Sequence, residues 1–481
     1  MSESLRAFGY ELPSAIADLI DNSVFARARN IWVEFVWNGK TSAISITDDG
    51  AGMSEGVLVD AMRPGSRNPL ESRDPGDLGR YGLGLKTASF SQCRRIAVRS
   101  KTKGRAESTR CWDLDFVADR NKWLLLRDAG ASTEPHFARL KTLPHGTAVV
   151  WEGMDRIVRD HDVDDDNHKR FFHGRIEAVE QHLAMVFHRF LEARRALHIF
   201  VNGNPVHAWD PFLKSERATQ PLTDERISLF QTKIRVIPYV LPHISKLTKE
   251  KHEGAAGMRG WNQHQGFYVY RNERLLVAGD WLGLGFAKEE HFKLARIQLD
   301  IPNSMDQEWE IDVTKSKARP PDALRAELRY IASVTRSRAS EIYRHRGKAL
   351  ARSAAQNFVF LWEQITRRGK YFYRVNREHP LIADALAQNR KLVDPILRTI
   401  EESVPVPLLI ITNSEKPDSQ SPPFDGASHS EIVALVERVY RAMRGSEVPK
   451  KTALERLRVM EPFDRFPEIV ASFEERQIGH D

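Results

Sequence analysis

AIADLIDNS, residues 15–23, decides how the chain begins. Ala15, Ile16, Leu19, Ile20 and Ser23 recur at the spacing of one helix face. Asp18 and Asn22 stand four residues apart, one turn above the other on a neighbouring face. A carboxamide oxygen placed there suits Mg²⁺, which prefers oxygen ligands and keeps several waters. The Asp18 carboxylate can reach one of those waters or an attacking water. Alone, the pair is an ordinary solvated helix face; the stretches that follow give it weight.

Thr41 to Thr47 alternate around Ile44 and Ile46 as a strand, which DDGAGM, residues 48–53, then breaks. Asp48 at the strand end can accept a hydrogen bond from an exocyclic amine such as that of adenine. Gly50 and Gly52 leave room for a flat base, and Met53 can pack on it as a soft apolar contact. GRYGLGLK, residues 79–86, precedes a helix expected from Thr87 onward. Gly79, Gly82 and Gly84 would offer backbone amides to phosphate, and Lys86 would add a point charge. The string is neither a Rossmann fingerprint nor a P-loop, since no strand runs directly into it and no Gly-Lys-Ser/Thr ending is present. Residues 63–78, rich in Pro, Gly, Arg and Asp, read as a lid beside the phosphates. GTAVVW, residues 146–151, reads as a strand whose Thr147 can join the network around Asp48.

The ordered set AIADLIDNS, DDGAGM, GRYGLGLK and GTAVVW resembles the GHKL ATPases, the superfamily of gyrase B, the large heat-shock chaperones, histidine kinases and MutL. Its wording is most like the MORC and MutL branches. The resemblance implies a left-handed crossover α/β sandwich in which ATP sits bent under a mobile lid. It implies Asn22 as Mg²⁺ ligand, Asp48 as adenine reader and Gly50, Gly52, Gly79, Gly82 and Gly84 as backbone glycines. It further implies Lys86 as a phosphate lysine and Thr147 as the threonine behind the base. One position departs: the family's general base is a glutamate where this chain has Asp18, one methylene shorter. A base must lie within hydrogen-bond reach of its proton, so Asp18 works through a second water or turns over slowly. Asp21 is expected to be structural.

Composition sets the outer bounds. The 481 residues suffice for about three domains. No run of 18 apolar residues is present, so a membrane span is not expected. The opening MSESLRAFGY lacks the apolar core of a signal peptide. The two cysteines, Cys93 and Cys111, make neither a disulfide framework nor a zinc site and fit a reducing cytoplasm. A net charge of +7 permits a polyanionic partner without demanding one.

The fold class expected is α+β, in three parts. Residues 1–158 form the GHKL (Bergerat) α/β sandwich that binds ATP. The acidic run 159–170 reads as linker or helix start, and 176–195 as a helix. The strand-turn-strand LHIFVNGNPV then resembles the opening of the second domain in MutL and MORC proteins; its Asn202-Gly203 is a hairpin signal. Residues 171–325 resemble a mixed α/β transducer domain. Strands are expected in IRVIPYVL and ARIQLDIP, and two more around the turn Arg271-Asn272-Glu273-Arg274. A helix from Pro321 closes it. In that resemblance one lysine of EIDVTKSKARPP, residues 310–321, reaches the terminal phosphate as a catalytic cation; Lys315 and Lys317 are both candidates and Lys315 is preferred.

Residues 326–481 form a mainly helical C-terminal region with a linker near 417–430. Within it, 365–377 mixes Arg367, Arg368, Lys370, Arg374 and Arg377 with Tyr371, Phe372 and Tyr373, a pattern that suits a nucleic-acid strand as well as a solvated basic face over an aromatic core. The whole reads as an Mg²⁺-dependent ATPase clamp that forms a homodimer on ATP binding. The resemblance implies DNA as the clamped molecule and a partner nuclease or helicase, as in bacterial antiviral defence. The alternatives are a protein-remodelling chaperone with the same ATPase front and a non-hydrolysing ATP switch.

Overall fold

The computed structural model describes the chain apart from residues 1–5, 7–8, 64–83, 159–162, 230–231, 306–307, 312–317, 353–360, 368–369, 407, 409–423, 425, 446–447, 461–462, 464–465 and 479–481, and apart from the side chains of 344–352, 364, 366–367, 370–371 and 459. Gly79, Gly82, Lys315, Lys317, Arg368, nearly all of the expected lid and most of the expected linker therefore lie outside the described residues. The chain divides into two compact units, Met1–Ser340 and Glu341–Asp481.

The first unit opens with helix α1 (Leu12–Phe25) and strands β1 (Asn30–Val36) and β2 (Ala43–Asp48). Helices α2 (Glu55–Met62) and α3 (Gly84–Gln92) follow, then β3 (Arg95–Lys101), β4 (Ser108–Asp113) and β5 (Gly146–Glu152). Next come α4 (Asp166–Val186), α5 (His188–Leu191), β6 (His198–Val201) and β7 (Asn204–Pro205). The strands form one sheet in the order β4-β3-β5-β2-β1-β6-β7, antiparallel except for the parallel pair β1–β6. The hairpin read as the opening of the second domain thus lies on the β1 edge of the first sheet.

Helix α1 has a proline in its first turn, where no backbone donor is lost, and packs against α3 and α4. Its face of Ala15, Ile16, Leu19, Ile20 and Ser23 is buried, as the spacing predicts. Ile16, Ile20, Ile44, Ile46, Phe90 and Trp151 share one core. On the opposite face Ala148 and Val150 pack with Phe137 and Leu140. The central strand β2 is buried along its whole length, whereas β1 alternates, with Ile31, Val33 and Phe35 inward. The acidic run ends as a helix start: Asp165 accepts from the backbone amides of Asn167 and His168 and caps α4.

The second sheet contains β8 (Gln220–Pro221), β9 (Glu225–Leu229), β10 (Thr232–Val240), β11 (Gly266–Arg271), β12 (Arg274–Asp280) and β13 (Ala295–Ile301). Its order is β12-β11-β13-β10-β8, with β9 also paired to β10. The turn joining β11 to β12 is Asn272-Glu273, both with positive φ (47° and 67°), a two-residue hairpin connection of the favoured twist. Helix α6 (Asp322–Arg352) comes next.

In the second unit, β14 (Trp362–Arg367) and β15 (Lys370–Val375) form a hairpin, followed by α7 (Pro380–Glu402), α8 (His429–Gly445), α9 (Lys450–Val459) and α10 (Pro467–Ile478). The last three helices share a core that includes Val436, Tyr440, Met443, Leu457 and Phe473. The basic-aromatic stretch, expected within a helical pattern, is instead this hairpin, with Ile365 opposite Phe372. Its β-branched and aromatic residues fit a pleated surface better than a helix. Among the described residues no helix is long and apolar enough to cross a membrane.

Candidate functional site

Helix α1 and the loop after β2 meet through one hydrogen bond: Ser23 Oγ donates to Asp48 Oδ2 at 2.9 Å. The other carboxylate oxygen accepts the Gly50 amide at 2.8 Å. Burial pushes the Asp48 carboxyl up to about 6, against these two bonds and a backbone hydrogen bond from Thr147, and with the nearby Asp49 charge adding to the rise. Asp49 itself is structural. It accepts the backbone amides of Arg29 and Asn30 and the Asn30 side-chain amide, at 2.7–2.9 Å, and so pins the turn to the start of β1.

The glycines of this turn have a packing reason that the sequence did not reveal. A Cβ on Gly52, at φ +70°, would stand 2.0 Å from the Lys101 carbonyl oxygen at the end of β3. A Cβ on Gly146 would stand 2.0 Å from the Asp48 carbonyl oxygen. Behind the turn, Asp48 lies opposite Thr147 in the β2–β5 register. The Ser100 hydroxyl donates to the Gly146 carbonyl at 3.0 Å. Having one proton, it accepts from the Met53 amide at 2.8 Å and from the Thr147 hydroxyl, also at 2.8 Å. His145 Nδ1 lies 2.7 Å from the Gly50 carbonyl. Asp48, Gly50, Gly52, Met53 and Thr147 are thus gathered around one floor, with Ser100 and His145 as supports that no sequence signal marked.

One turn separates Asp18 from Asn22 on α1, but their settings differ. Asp18 is 3% exposed and accepts the Tyr10 hydroxyl at 2.8 Å, whereas Asn22 is exposed. Gly84, the first residue of α3, stands over Asp18: a Cβ there would lie 3.7 Å from Asp18 Oδ2. The first and third sequence stretches therefore meet at the Asp18 carboxylate. Lys86 is buried, and its ammonium donates to the carbonyls of Ala61 at 2.9 Å and Arg63 at 2.6 Å, at the C-terminal end of α2. Asp21 reaches the second sheet. It bonds Arg274 Nε of β12 at 3.0 Å, with both side chains almost fully buried.

The donor set fits a hydrated Mg²⁺. An accessible amide oxygen at Asn22 sits one turn from a carboxylate, and among the described residues no three His, Cys, Asp or Glu side chains converge as a cage for another metal. In the second unit, Phe372 and Tyr373 are part-exposed. The basic side chains beside them are engaged: Arg374 pairs with Glu363 at 3.0 Å and Arg377 with Glu401 at 2.5 Å.

Residues 10–147 match the family described as histidine kinase-, DNA gyrase B-, and HSP90-like ATPase. The chain is 32% identical over 91 residues to "ATPase morc-1" of Caenorhabditis elegans and 33% identical over 94 residues to "DNA mismatch repair protein MutL" of Dictyoglomus turgidum. Each alignment covers 19% of this chain, but only 10% of the first relative and 16% of the second. The matched span takes in α1, the turn after β2, Gly84 at the head of α3 and Thr147. Residues 10–147 thus form a domain of the GHKL ATPase superfamily, similar to the matched parts of the MORC and MutL relatives.

Proposed function

We propose that the chain is an Mg²⁺-dependent ATP-hydrolysing clamp of MORC and MutL type that acts on DNA in the cytoplasm. The observation that supports it most is the continuous line of contacts from Gly84 over Asp18, along α1 to Ser23, and through Asp48 to Thr147 and Met53. Asp48, charged above pH 6, accepts the adenine amine, while Gly50, Gly52 and Met53 bound the base. Asn22 offers its amide oxygen to the metal. Mg²⁺, when bound, neutralises phosphate charge during transfer. Asp18 orients the attacking water. The amides around Gly79, Gly82 and Gly84, with Lys86, hold the phosphates. Lys315, or Lys317, meets the terminal phosphate and gives the closed state its tighter binding. Closure brings two chains together as a homodimer around DNA, with cutting or unwinding left to a partner nuclease or helicase in a defence system.

A second reading, a non-hydrolysing ATP switch, is favoured by one observation: the short Asp18 carboxylate is buried and already holds the Tyr10 hydroxyl. The deciding experiment measures ATP binding by calorimetry and phosphate release with and without duplex DNA. Binding with DNA-stimulated release supports the clamp. Binding without release supports the switch. No binding refutes both.

A further inference from the structure

We propose that the end of the second sheet remote from α1 holds a separate site for a phosphate group. A cavity of about 500 Å³ opens there, beside the last residues of β12, the loop at Leu282–Gly283 and the segment 318–325. That size suits a small ligand or a short piece of a larger one. Its lining carries four cations, Arg259, Lys288, Arg319 and Arg325, against the single carboxylate of Asp280.

Three of the four cations are held by neutral groups. Arg259 donates to the Ala278 carbonyl at 2.6 Å, Lys288 to the Gln263 carbonyl at 2.7 Å and Arg325 to the Gly283 carbonyl at 2.8 Å. Carbonyl anchors fix the head groups without cancelling their charge. The acids nearby do little: Asp322 is 4.0 Å from Arg325, Glu310 is 3.7 Å from Arg319, and both are exposed. Asp280 is engaged by the Leu282 amide at 2.5 Å.

A fifth cation stands close by. Arg296 is fully buried, bonded to the carbonyls of Lys293 and Ala295, and hydrogen-bonded to no carboxylate among the described residues. The crowding is felt: burial and the charges of Arg259 and Arg296 hold the Lys288 ammonium below its usual value, against the pull of Asp280. Like charges brought together from several segments repel unless an anion joins them. Tetrahedral phosphate oxygens match several converging donors better than one carboxylate does.

The cavity lies at the far end of β12 from the contact of that strand with α1. Arg274, which bonds α1, begins β12, and Asp280 ends it. Six steps of strand put roughly 20 Å between them. The phosphate has two possible sources, a free phosphate anion or ester and the backbone of a nucleic-acid strand, and the cavity chemistry serves both.

The test uses the full chain carrying Asp48→Asn, so that the nucleotide pocket is impaired, in low-salt buffer without phosphate. Titration with inorganic pyrophosphate should show saturable binding, weakened about tenfold or more by Lys288→Gln or Arg325→Gln, the loss of one charge-assisted bond. Arg319→Gln, at an exposed side chain, serves if either variant fails to fold. A parallel titration uses a single-stranded oligonucleotide. Pyrophosphate binding with no oligonucleotide binding assigns the site to free phosphate anions. Oligonucleotide binding that the same variants weaken and that pyrophosphate displaces assigns it to a strand. The proposal is overturned if neither probe binds at millimolar concentration, or if binding is unchanged in the folded variants. On the wild-type Asp48 background, Lys288→Gln should leave ATP-analogue affinity unaltered; a matching loss of both would make the two sites one and overturn the proposal.

Discussion

Replacing Arg274 by Gln should destabilise the first unit severely, because it removes a buried charge partner of Asp21. Arg274 and Asp21 are 4% and 2% exposed and 3.0 Å apart, so neither has water to fall back on. Removing one partner of such a pair costs about 3–5 kcal/mol. Asp21→Asn should cost a similar amount. The double variant should cost less than the sum by at least ~1 kcal/mol, since it leaves no uncompensated ion. Arg235→Gln is the contrast: its pair with Asp224 is half-exposed at 2.7 Å and should cost far less. Urea unfolding followed by tryptophan fluorescence reads the right unit, because of the 10 tryptophans only Trp362 lies outside Met1–Ser340. Single variants within ~0.5 kcal/mol of wild type, or costs that simply add, would refute the reasoning. In folded Arg274→Gln protein, Asn22 sits next to the vacated partner, so Mg²⁺-dependent nucleotide affinity should also fall.

Asp48→Asn should abolish ATP binding by calorimetry. In the wild type, affinity should rise from pH 5 to 7 as the carboxyl ionises near 6. The same raised value works the other way on stability: Asp48 favours the fold fully below about 3.8 and loses that contribution as pH rises through 6, a dependence that Asp48→Asn should remove. Asp18→Ala should keep ATP binding and lose phosphate release, Asp18→Glu should quicken release by restoring reach, and Asn22→Ala should lose Mg²⁺-dependent binding; wild-type release by Asp18→Ala removes that residue from the chemistry. A non-hydrolysable ATP analogue should shift the chain to a dimer in sedimentation, and DNA binding should fall steeply with salt and fall further on charge reversal at Arg367, Arg368 and Lys370 together. Normal turnover and dimerisation with no DNA binding at low salt would end the DNA reading and favour a chaperone-like role, for which the exposed Leu392, Ile396 and Ile400 on α7 offer a surface.

Local patterns were legible because they depend on neighbours in sequence. The α1 face, the strand that Asp48 ends, and the turn at Asn272-Glu273 each follow from period or turn chemistry. What sequence could not show are pairings closed by the fold. Tyr10 on Asp18 and Ser23 on Asp48 need α1 docked, and Arg274 on Asp21 spans 253 residues. Gly52 looked like room for a base, yet a strand carbonyl from β3 already excludes any side chain there. Lys86 read as a phosphate cation, and its present partners include two carbonyls that only the placement of α2 brings near. Arg271 and Arg296, ordinary surface residues by type, are buried within the second sheet. At 362–375, β-branched and aromatic residues carried a strand signal that the surrounding helical pattern masked.

The parallel pairing of β1 with β6 has a consequence for biosynthesis. Ile31 pairs with Ile199, and the Phe35 amide bonds the Asn202 side chain at 2.7 Å, so the β1 side of the first sheet is closed by residues that follow it by more than 160 positions. At ribosomal rates of about 5–20 residues per second, β1 waits roughly 10–30 s for its cover. Throughout that interval NIWVEFV presents an open apolar edge, a template for pairing with another nascent chain. A fragment ended at residue 158 keeps that edge open permanently, so the sheet that carries Asp48 and Thr147 is protected only once translation has passed residue 205.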